Sequence, residues 1–203
     1  MTRTRGFLII TPILNTGRAQ MTTLRERIIN LIYKTATGAK RIRMILTPLV
    51  GAIFFCIVLF LILASFSLDK FFGFPEFLPK TLEIASSLPF LIVGLFLWLW
   101  SAGKFFKTKG TPVPVNPPPK LVTDGLYAYS RNPMMTGLFM VMAGIGIFFG
   151  SITLTFIMTP LFVFMSILEF KYIEEPELKK RFSKVYTEYK EKTPIIIPWI
   201  RRK

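Results

Sequence analysis

The length, composition and charge of this chain exclude most classes of soluble enzyme. It has 203 residues, 52% of them hydrophobic, and a net charge of +15. Histidine is absent and Cys56 is the only cysteine, which excludes histidine-dependent triads, histidine-bound metals and disulfides within the chain. The composition favours a membrane protein, and we expect no metal cofactor.

The basic residues flank apolar segments and do not alternate with aromatic residues. Lys and Arg number nine in residues 1–44, two in 69–80, five in 102–133 and ten in 171–203. Anionic lipid headgroups select this distribution, whereas a nucleic-acid-binding surface interleaves basic and aromatic side chains. We therefore expect membrane lipids, and no nucleic acid, as partners.

The first 44 residues form a basic region that precedes the apolar segments. Within it, residues 1–20 (MTRTRGFLIITPILNTGRAQ) resemble a weak signal peptide that lacks a small-residue cleavage site. We interpret them as a disordered extension or as a start assigned upstream of Met21, where a basic cytoplasmic helix begins. Residues 45–203 are expected to form one membrane domain.

Four apolar segments predict an all-α bundle of about four transmembrane helices. They cover residues 45–68, 82–101, 134–150 and 152–173. The first has 24 residues without a charge, which is enough to cross a hydrocarbon core of roughly 30 Å at about 1.5 Å per residue. Four spans put both termini and the loop 102–133 on one side, and the basic residues predict that this side is the cytoplasm.

A C-terminal amphipathic helix is predicted over residues 174–192. Acidic residues crowd its start, as the helix dipole favours. The residues expected on its apolar face are Leu178, Phe182, Val185, Tyr186 and Tyr189. Those expected to face lipid headgroups, with the helix lying on the membrane, are Lys179, Lys180, Arg181 and Lys184.

A proline-rich loop, residues 110–137, lies between the second and third spans. The five prolines between residues 112 and 119 remove backbone donors and stiffen the chain, and such a loop usually surrounds a ligand. On the cytoplasmic side it can meet Glu174 and Glu175, adjacent carboxylates that call for a cation. Glu169 is expected to pair with Lys171 or Arg131.

The loop and the glutamates together offer an anchor for a carboxylate and another for an ammonium group, and S-adenosylmethionine carries both. NADPH would require more cations near its phosphates and a glycine-rich phosphate loop. The alternatives are that the glutamates only complement the helix dipole, or that an Arg131 to Glu ion pair is purely structural.

The segments LVTDGLYAYSRNPMMTG and, after a helical hairpin, EEPELKKRFSKVYTEYKEKTPIIIP resemble the isoprenylcysteine carboxyl methyltransferase and phospholipid methyltransferase group of integral membrane enzymes. The resemblance covers roughly residues 90–200, and GTPVPVNPP matches a prokaryotic branch, which implies a bacterial inner membrane. The matching positions are Gly125, Tyr127, Arg131, Asn132, Pro133 and Gly137, then Glu174, Glu175, Phe182, Tyr186, Tyr189, Pro194 and Pro198. The chain departs from the family pattern at four positions. It has Asn132 where many members have His, Met135 where Tyr is usual, Ser183 where Gly is usual and Ile195 where Arg is usual.

The resemblance implies S-adenosylmethionine held between the loop and the C-terminal helix, with a lipid-like acceptor arriving from the bilayer. The residues expected to hold the donor are Gly110, Leu121, Val122, Gly125, Tyr127, Arg131, Asn132, Pro133, Glu174 and Glu175. Met135 and Tyr186 are expected to face the acceptor. Because transfer from a sulfonium needs alignment more than proton transfer, we expect no catalytic side chain.

Two other functions stay open at this point. One is an NADPH-dependent membrane enzyme similar to sterol reductases, and the other is a non-enzymatic lipid-binding membrane protein. The residues leave open which of Glu174 and Glu175 contacts the donor. Ile195 stands where the family pattern has an Arg that could hold an anionic acceptor, so the identity of the methyl acceptor is open as well.

Overall fold

The computed structural model describes residues 11–196, with side chains from residue 24 onward, as a set of packed helices. The helices are α1 (Thr11–Thr37), α2 (Lys40–Phe72), α3 (Lys80–Lys107), α4 (Pro133–Phe148), α5 (Thr159–Glu169) and α6 (Glu175–Lys192). One π-helical turn, Thr153–Met158, leads into α5, and a second, Phe170–Glu174, joins α5 to α6, so that the whole forms one continuous helix, Thr153–Lys192. Within residues 11–196 there is no strand, and the predicted all-α class is confirmed.

Among residues 11–196, three helices are long and apolar enough to cross a membrane. They are α2, α3 and the continuous helix Thr153–Lys192, whereas α4 is a shorter apolar helix of 16 residues. Large apolar side chains such as Phe60, Phe96 and Phe164 point outward from these helices and suit contact with lipid. The helical membrane architecture is therefore as predicted, while the number of four spans stays a prediction.

The helices α3 and α4 cross at very close range because both carry glycine at the crossing. A Cβ atom on Gly94 would lie 2.8 Å from the Gly137 carbonyl oxygen, and one on Gly137 would lie 2.6 Å from the Gly94 carbonyl oxygen. Side chains at these positions would push the two backbones apart. This crossing holds the beginning of α4, and so the end of the proline-rich loop, against α3.

A group of polar side chains ties the helices together where two short turns connect them. We call Asp69, Lys80, Glu83, Ser151 and Thr153 the turn cluster. The Asp69 carboxylate accepts hydrogen bonds from the Ser151 hydroxyl and, at 2.9 Å, from the Thr153 backbone N–H. Lys80 pairs with Glu83 at 2.9 Å, and the Glu83 side chain is fully buried. The proline-rich loop and α6 meet at the other end of the helices.

The predicted amphipathic helix is present as α6, but its faces differ from those expected. Arg181 turns inward to pair with Glu177 at 3.2 Å, and its side chain is only 14% exposed. Val185, expected on the buried face, is 61% exposed. The exposure of Val185 follows from Ser183, whose φ of 47° and ψ of −118° break the helical geometry and shift the register beyond it. Arg181 precedes this kink and turns inward through its pairing with Glu177.

Some expectations fall on residues outside the described part of the chain. The first ten residues and Pro198 belong to this group. The helix α1 begins at Thr11 and includes Met21. The division into a basic N-terminal region and a membrane domain, and the start residue, stay predictions.

Candidate functional site

The two segments that carry the sequence motifs are joined by backbone hydrogen bonds. The backbone N–H of Arg131 donates to the Pro194 carbonyl at 2.8 Å, and that of Asn132 donates to the Ile195 carbonyl at 3.0 Å. The Ser130 hydroxyl donates to the same Ile195 carbonyl at 2.8 Å. The segment after α6 is thus held against the end of the proline-rich loop.

Side chains add a buried ionic contact to this backbone pairing. Arg131 Nη1 lies 2.5 Å from Glu175 Oε1 and donates to the Tyr186 hydroxyl at 3.1 Å. Lys190 pairs with the other oxygen of Glu175. The Arg131 and Glu175 side chains are only 7% and 5% exposed. Both oxygens of Glu175 are therefore occupied by cations of the protein itself.

An open cavity of about 760 Å³, including its mouth, lies between the loop and the helix that carries the glutamates. The loop supplies one side through Pro112, Pro117, Pro118, Leu121 and Val122. The opposite side consists of Glu169, Phe170, Ile173, Glu174, Glu177, Leu178 and Arg181. The prolines have no N–H to donate, so the loop presents carbonyl groups and apolar rings.

The π-helical turn Phe170–Glu174 explains why two glutamates face this cavity. A π turn joins residues five apart by hydrogen bonds, so that residues with this spacing lie on one side of the helix. Glu169 and Glu174 are five residues apart, and both line the cavity. The expected pairing of Glu169 with Lys171 or Arg131 is not formed, since neither contact occurs among the salt bridges of the described residues.

Several polar groups of the cavity lining have no partner among the residues that the structure describes. The carboxylates of Glu169 and Glu174 and the ammonium group of Lys120 form no hydrogen bond or salt bridge there. The Tyr127 hydroxyl and Arg131 Nε are buried without a hydrogen-bond partner. Burial raises the pKa of the Tyr127 phenol well above its usual range, so that it stays protonated and can donate. The lining thus carries two unpaired carboxylates and one unpaired ammonium group, and two buried donors lie on its residues.

About half of the sequence-predicted site residues line this cavity. They are Leu121, Val122, Tyr127, Arg131, Glu174 and Tyr186. Tyr186 was expected to face an acceptor, and its hydroxyl accepts the Arg131 hydrogen bond. Tyr189, which matched the second motif, also lines the cavity and donates to the Tyr127 carbonyl at 2.6 Å.

The other predicted residues lie in the structure around the cavity and not on its lining. Gly110 packs its backbone against Pro118, and Gly125 adopts a φ of +63° beneath the Trp100 ring. Pro133 is the first residue of α4. The Asn132 side chain accepts the Met135 backbone N–H at 3.2 Å and so caps that helix. Glu175 is held by Arg131 and Lys190, as described above.

Some lining residues were missed by sequence reasoning. Glu177 and Arg181 were available from the sequence, because they follow Glu174 at intervals of three and four and so share its helix face. Ile32 of α1 had no sequence signal, since its position at the cavity depends on the packing of a distant helix.

Comparison with protein families identifies the family of the chain. Residues 82–185, about half of the chain, match the family described as phospholipid methyltransferase. The matched segment contains α3, α4, α5, the proline-rich loop and both glutamates. The chain therefore belongs to the phospholipid methyltransferase family, as its motifs predicted. No curated protein and no solved structure matched the chain.

Membership of this family has consequences for function and location. It implies a methyltransferase that acts on lipid-like substrates. Together with the three long apolar helices, it indicates an integral membrane protein.

Proposed function

We propose that this protein transfers a methyl group from S-adenosylmethionine to a lipid-like acceptor in the membrane. The observation that carries the proposal is the cavity-facing carboxylate of Glu174, which has no partner among the described residues although Glu175 beside it has two. A carboxylate that is half-buried without a cation is costly, and a cationic ligand would compensate it.

The groups at the cavity suit the amino-acid end of S-adenosylmethionine. Glu174 would hold the ammonium group, while the Tyr127 hydroxyl and Arg131 Nε would donate to the carboxylate. The loop around Leu121 and Val122 would receive the adenosine through carbonyl groups and apolar contacts. In this proposal Glu175 keeps Arg131 in place and does not touch the donor.

When bound, S-adenosylmethionine supplies an electrophilic methyl group on a sulfonium. The protein has to orient that group and exclude water from it. Phe170, Ile173 and Leu178 give the cavity an apolar side, and Glu174 anchors the far end of the donor. Alignment of this kind can lower a barrier by about 7 to 11 kcal/mol without a catalytic acid or base.

We place the donor site at the cytoplasmic face of a bacterial inner membrane. The cavity lies at the end of the helices flanked by residues 102–133 and 171–203, which contain five and ten basic residues. The connection 69–80 at the other end contains two. Basic residues accumulate on the cytoplasmic side of membrane proteins.

A nicotinamide cofactor matches the cavity less well. Its phosphates need several free cations. The two cavity arginines are each paired with a glutamate, Arg131 with Glu175 and Arg181 with Glu177, so that Lys120 is the one lining cation without a salt bridge among the described residues. The sterol-reductase alternative therefore has less support than methyl transfer.

Titration calorimetry of the purified protein with S-adenosylhomocysteine and with NADPH tests the proposal. We expect S-adenosylhomocysteine to bind, and Glu174→Gln to weaken it by at least about tenfold, since a hydrogen bond to a charged group contributes about 1.5 to 3 kcal/mol. Glu191→Gln, an exposed position on α6, is the matched control and should have no effect. Binding of NADPH alone would favour a reductase, and binding of neither would favour a non-enzymatic protein.

Incubation of native membranes with a radiolabelled methyl donor would then identify the acceptor class. Label in the lipid extract, dependent on this protein, is the expected result. Label confined to protein would contradict a lipid-like acceptor.

A further inference from the structure

The helix α1 lies outside the segment that matches the family, yet it packs against the cavity. The family match begins at residue 82, whereas α1 ends at Thr37. Arg25 Nε donates to the Tyr172 carbonyl at 2.8 Å, which joins α1 to the π turn at the cavity. Lys180 of α6 donates to Asn30 Oδ1 at 2.6 Å, and its ammonium lies 4.5 Å from the centre of the Tyr33 ring.

One face of α1 is buried by these contacts. Ile29 and Ala36 are 9% and 5% exposed, and Ile32, between them in the helical repeat, lines the cavity. Leu31 is adjacent in sequence but lies on the opposite face, where it is 65% exposed. Burial of this face stabilises α1 against the cavity, and the Lys180 contacts hold it there.

The cavity has an apolar side to which α1 contributes. Ile32 lines the same space as Phe105, Phe170, Ile173 and Leu178. A lipid-like acceptor must bring an apolar chain next to its reactive atom, and these side chains are the surface that such a chain would touch. The branched aliphatic side chain of Ile32 limits the width of the acceptor chain that can enter the cavity.

We propose that α1 forms one wall of the methyl-transfer cavity and that Ile32 determines which acceptors fit. The role of Ile32 in acceptor choice rests on the proposed function. The packing of α1 as a wall of the cavity does not depend on that function. Lys180 is the positioning residue, since it holds Asn30 and Tyr33 of α1 against α6. Release of α1 is expected to open the cavity to water.

Thiol labelling tests the wall without any ligand. Cys56 is the only cysteine and is exposed, so Cys56→Ser provides a cysteine-free background. In detergent, a small maleimide should modify Ile32→Cys at least about tenfold more slowly than Leu31→Cys, because position 32 is half-buried and is reached only through the cavity, whereas position 31 is exposed. Equal rates at the two positions would overturn the proposal.

The Lys180 contacts are tested in the same background. Lys180→Met should accelerate labelling at position 32 and leave position 31 unchanged. Lys179→Met, the exposed neighbour, should change neither rate. If Lys180→Met has no effect at position 32, the positioning role of Lys180 is wrong.

Acceptor choice is tested with radiolabelled methyl donor and a native lipid extract. Ile32→Ala should change the ratio of labelled lipids by about tenfold, a typical effect of removing carbon atoms from a specificity pocket. Leu31→Ala should leave the ratio as in the wild type, and an unchanged ratio for Ile32→Ala would refute the specificity role.

The two proposals can fail separately. A wild-type protein that binds no S-adenosylhomocysteine and labels no lipid would refute the proposed function. The labelling rates at positions 31 and 32 would still decide whether α1 forms a wall. Protection of position 32 by S-adenosylhomocysteine would support both.

Discussion

The polar groups at the two ends of the helices contain similar residues but do different things. In the turn cluster, Asp69 uses both carboxylate oxygens on Ser151 and Thr153, and Glu83 pairs with Lys80. Glu83 Oε1 has no hydrogen bond, but Gly150 packs directly against it and leaves no room for a ligand. The turn cluster therefore only joins helices.

The cavity end also joins helices by buried ion pairs, yet it keeps polar groups free for a ligand. Glu175 is held by Arg131 and Lys190, whereas Glu174 borders the cavity without a partner among the described residues. The Tyr127 hydroxyl and Arg131 Nε are buried atoms of two other lining residues and have no hydrogen bond there. The difference teaches that a buried charge is not by itself a sign of function. A polar group that borders a cavity and lacks a partner is the more useful indicator.

The largest expected effect comes from breaking the ion pair at the cavity end. Arg131→Ala should lower the free energy of unfolding by about 3 to 5 kcal/mol, because it leaves Glu175 buried with one cation fewer. Glu175→Gln should act in the same direction. Both should weaken binding of S-adenosylhomocysteine while the protein still inserts into the membrane. Unfolding in detergent, calorimetry and membrane fractionation measure the three quantities.

A double variant sharpens this prediction. Arg131→Ala combined with Glu175→Ala should be less destabilised than the sum of the two single variants, because removing both partners leaves no unpaired charge between them. Strict additivity would mean that the two side chains do not interact as the structure indicates.

The next largest effect separates the two adjacent glutamates. Glu174→Gln should lower the affinity for S-adenosylhomocysteine by about tenfold or more. It should leave the free energy of unfolding unchanged or raise it, since no contact within the described protein is lost and an uncompensated charge is removed. Calorimetry and unfolding of the same preparation give both values. A large loss of stability would show that Glu174 has a structural role, like Glu175.

A substitution in the turn cluster should have the opposite result to Glu174→Gln, lowering stability and not affinity. Asp69→Ala removes the acceptor for the Thr153 backbone N–H and should cost about 1 to 2 kcal/mol of stability, the usual effect of losing a helix cap. Affinity for S-adenosylhomocysteine should stay the same. Asp69→Asn keeps an acceptor oxygen and should cost less. A loss of affinity as large as that of Glu174→Gln would contradict the separation of the two ends.

The smallest effect is expected at the kink in α6. Ser183 has a φ of 47° and a ψ of −118°, a conformation that glycine adopts with little strain. Ser183→Gly should therefore raise the free energy of unfolding by about 1 kcal/mol, while Ser183→Ala should not. Equal stabilisation by both substitutions would show that strain is not the cause.

The motifs predicted a good part of the site because they mark local properties. The prolines of the loop, the cap at Asn132 and the acidic start of α6 depend on residues a few positions away. Arg131 was expected near the glutamates, and it pairs with Glu175. Which glutamate stays free was not predictable, because the π turn before α6 changes the direction in which Glu174 points.

The sequence by itself determined that this chain is a helical membrane protein with a proline-rich loop and a basic, amphipathic C-terminus. Hydrophobicity, charge and proline content act residue by residue, so they can be read along the chain. Only the tertiary structure decided that Glu175 is paired and Glu174 is not, that Arg181 turns inward, and that Ile32 reaches the cavity. These outcomes depend on how distant helices cross, and helix crossing depends on close contacts such as that of Gly94 with Gly137.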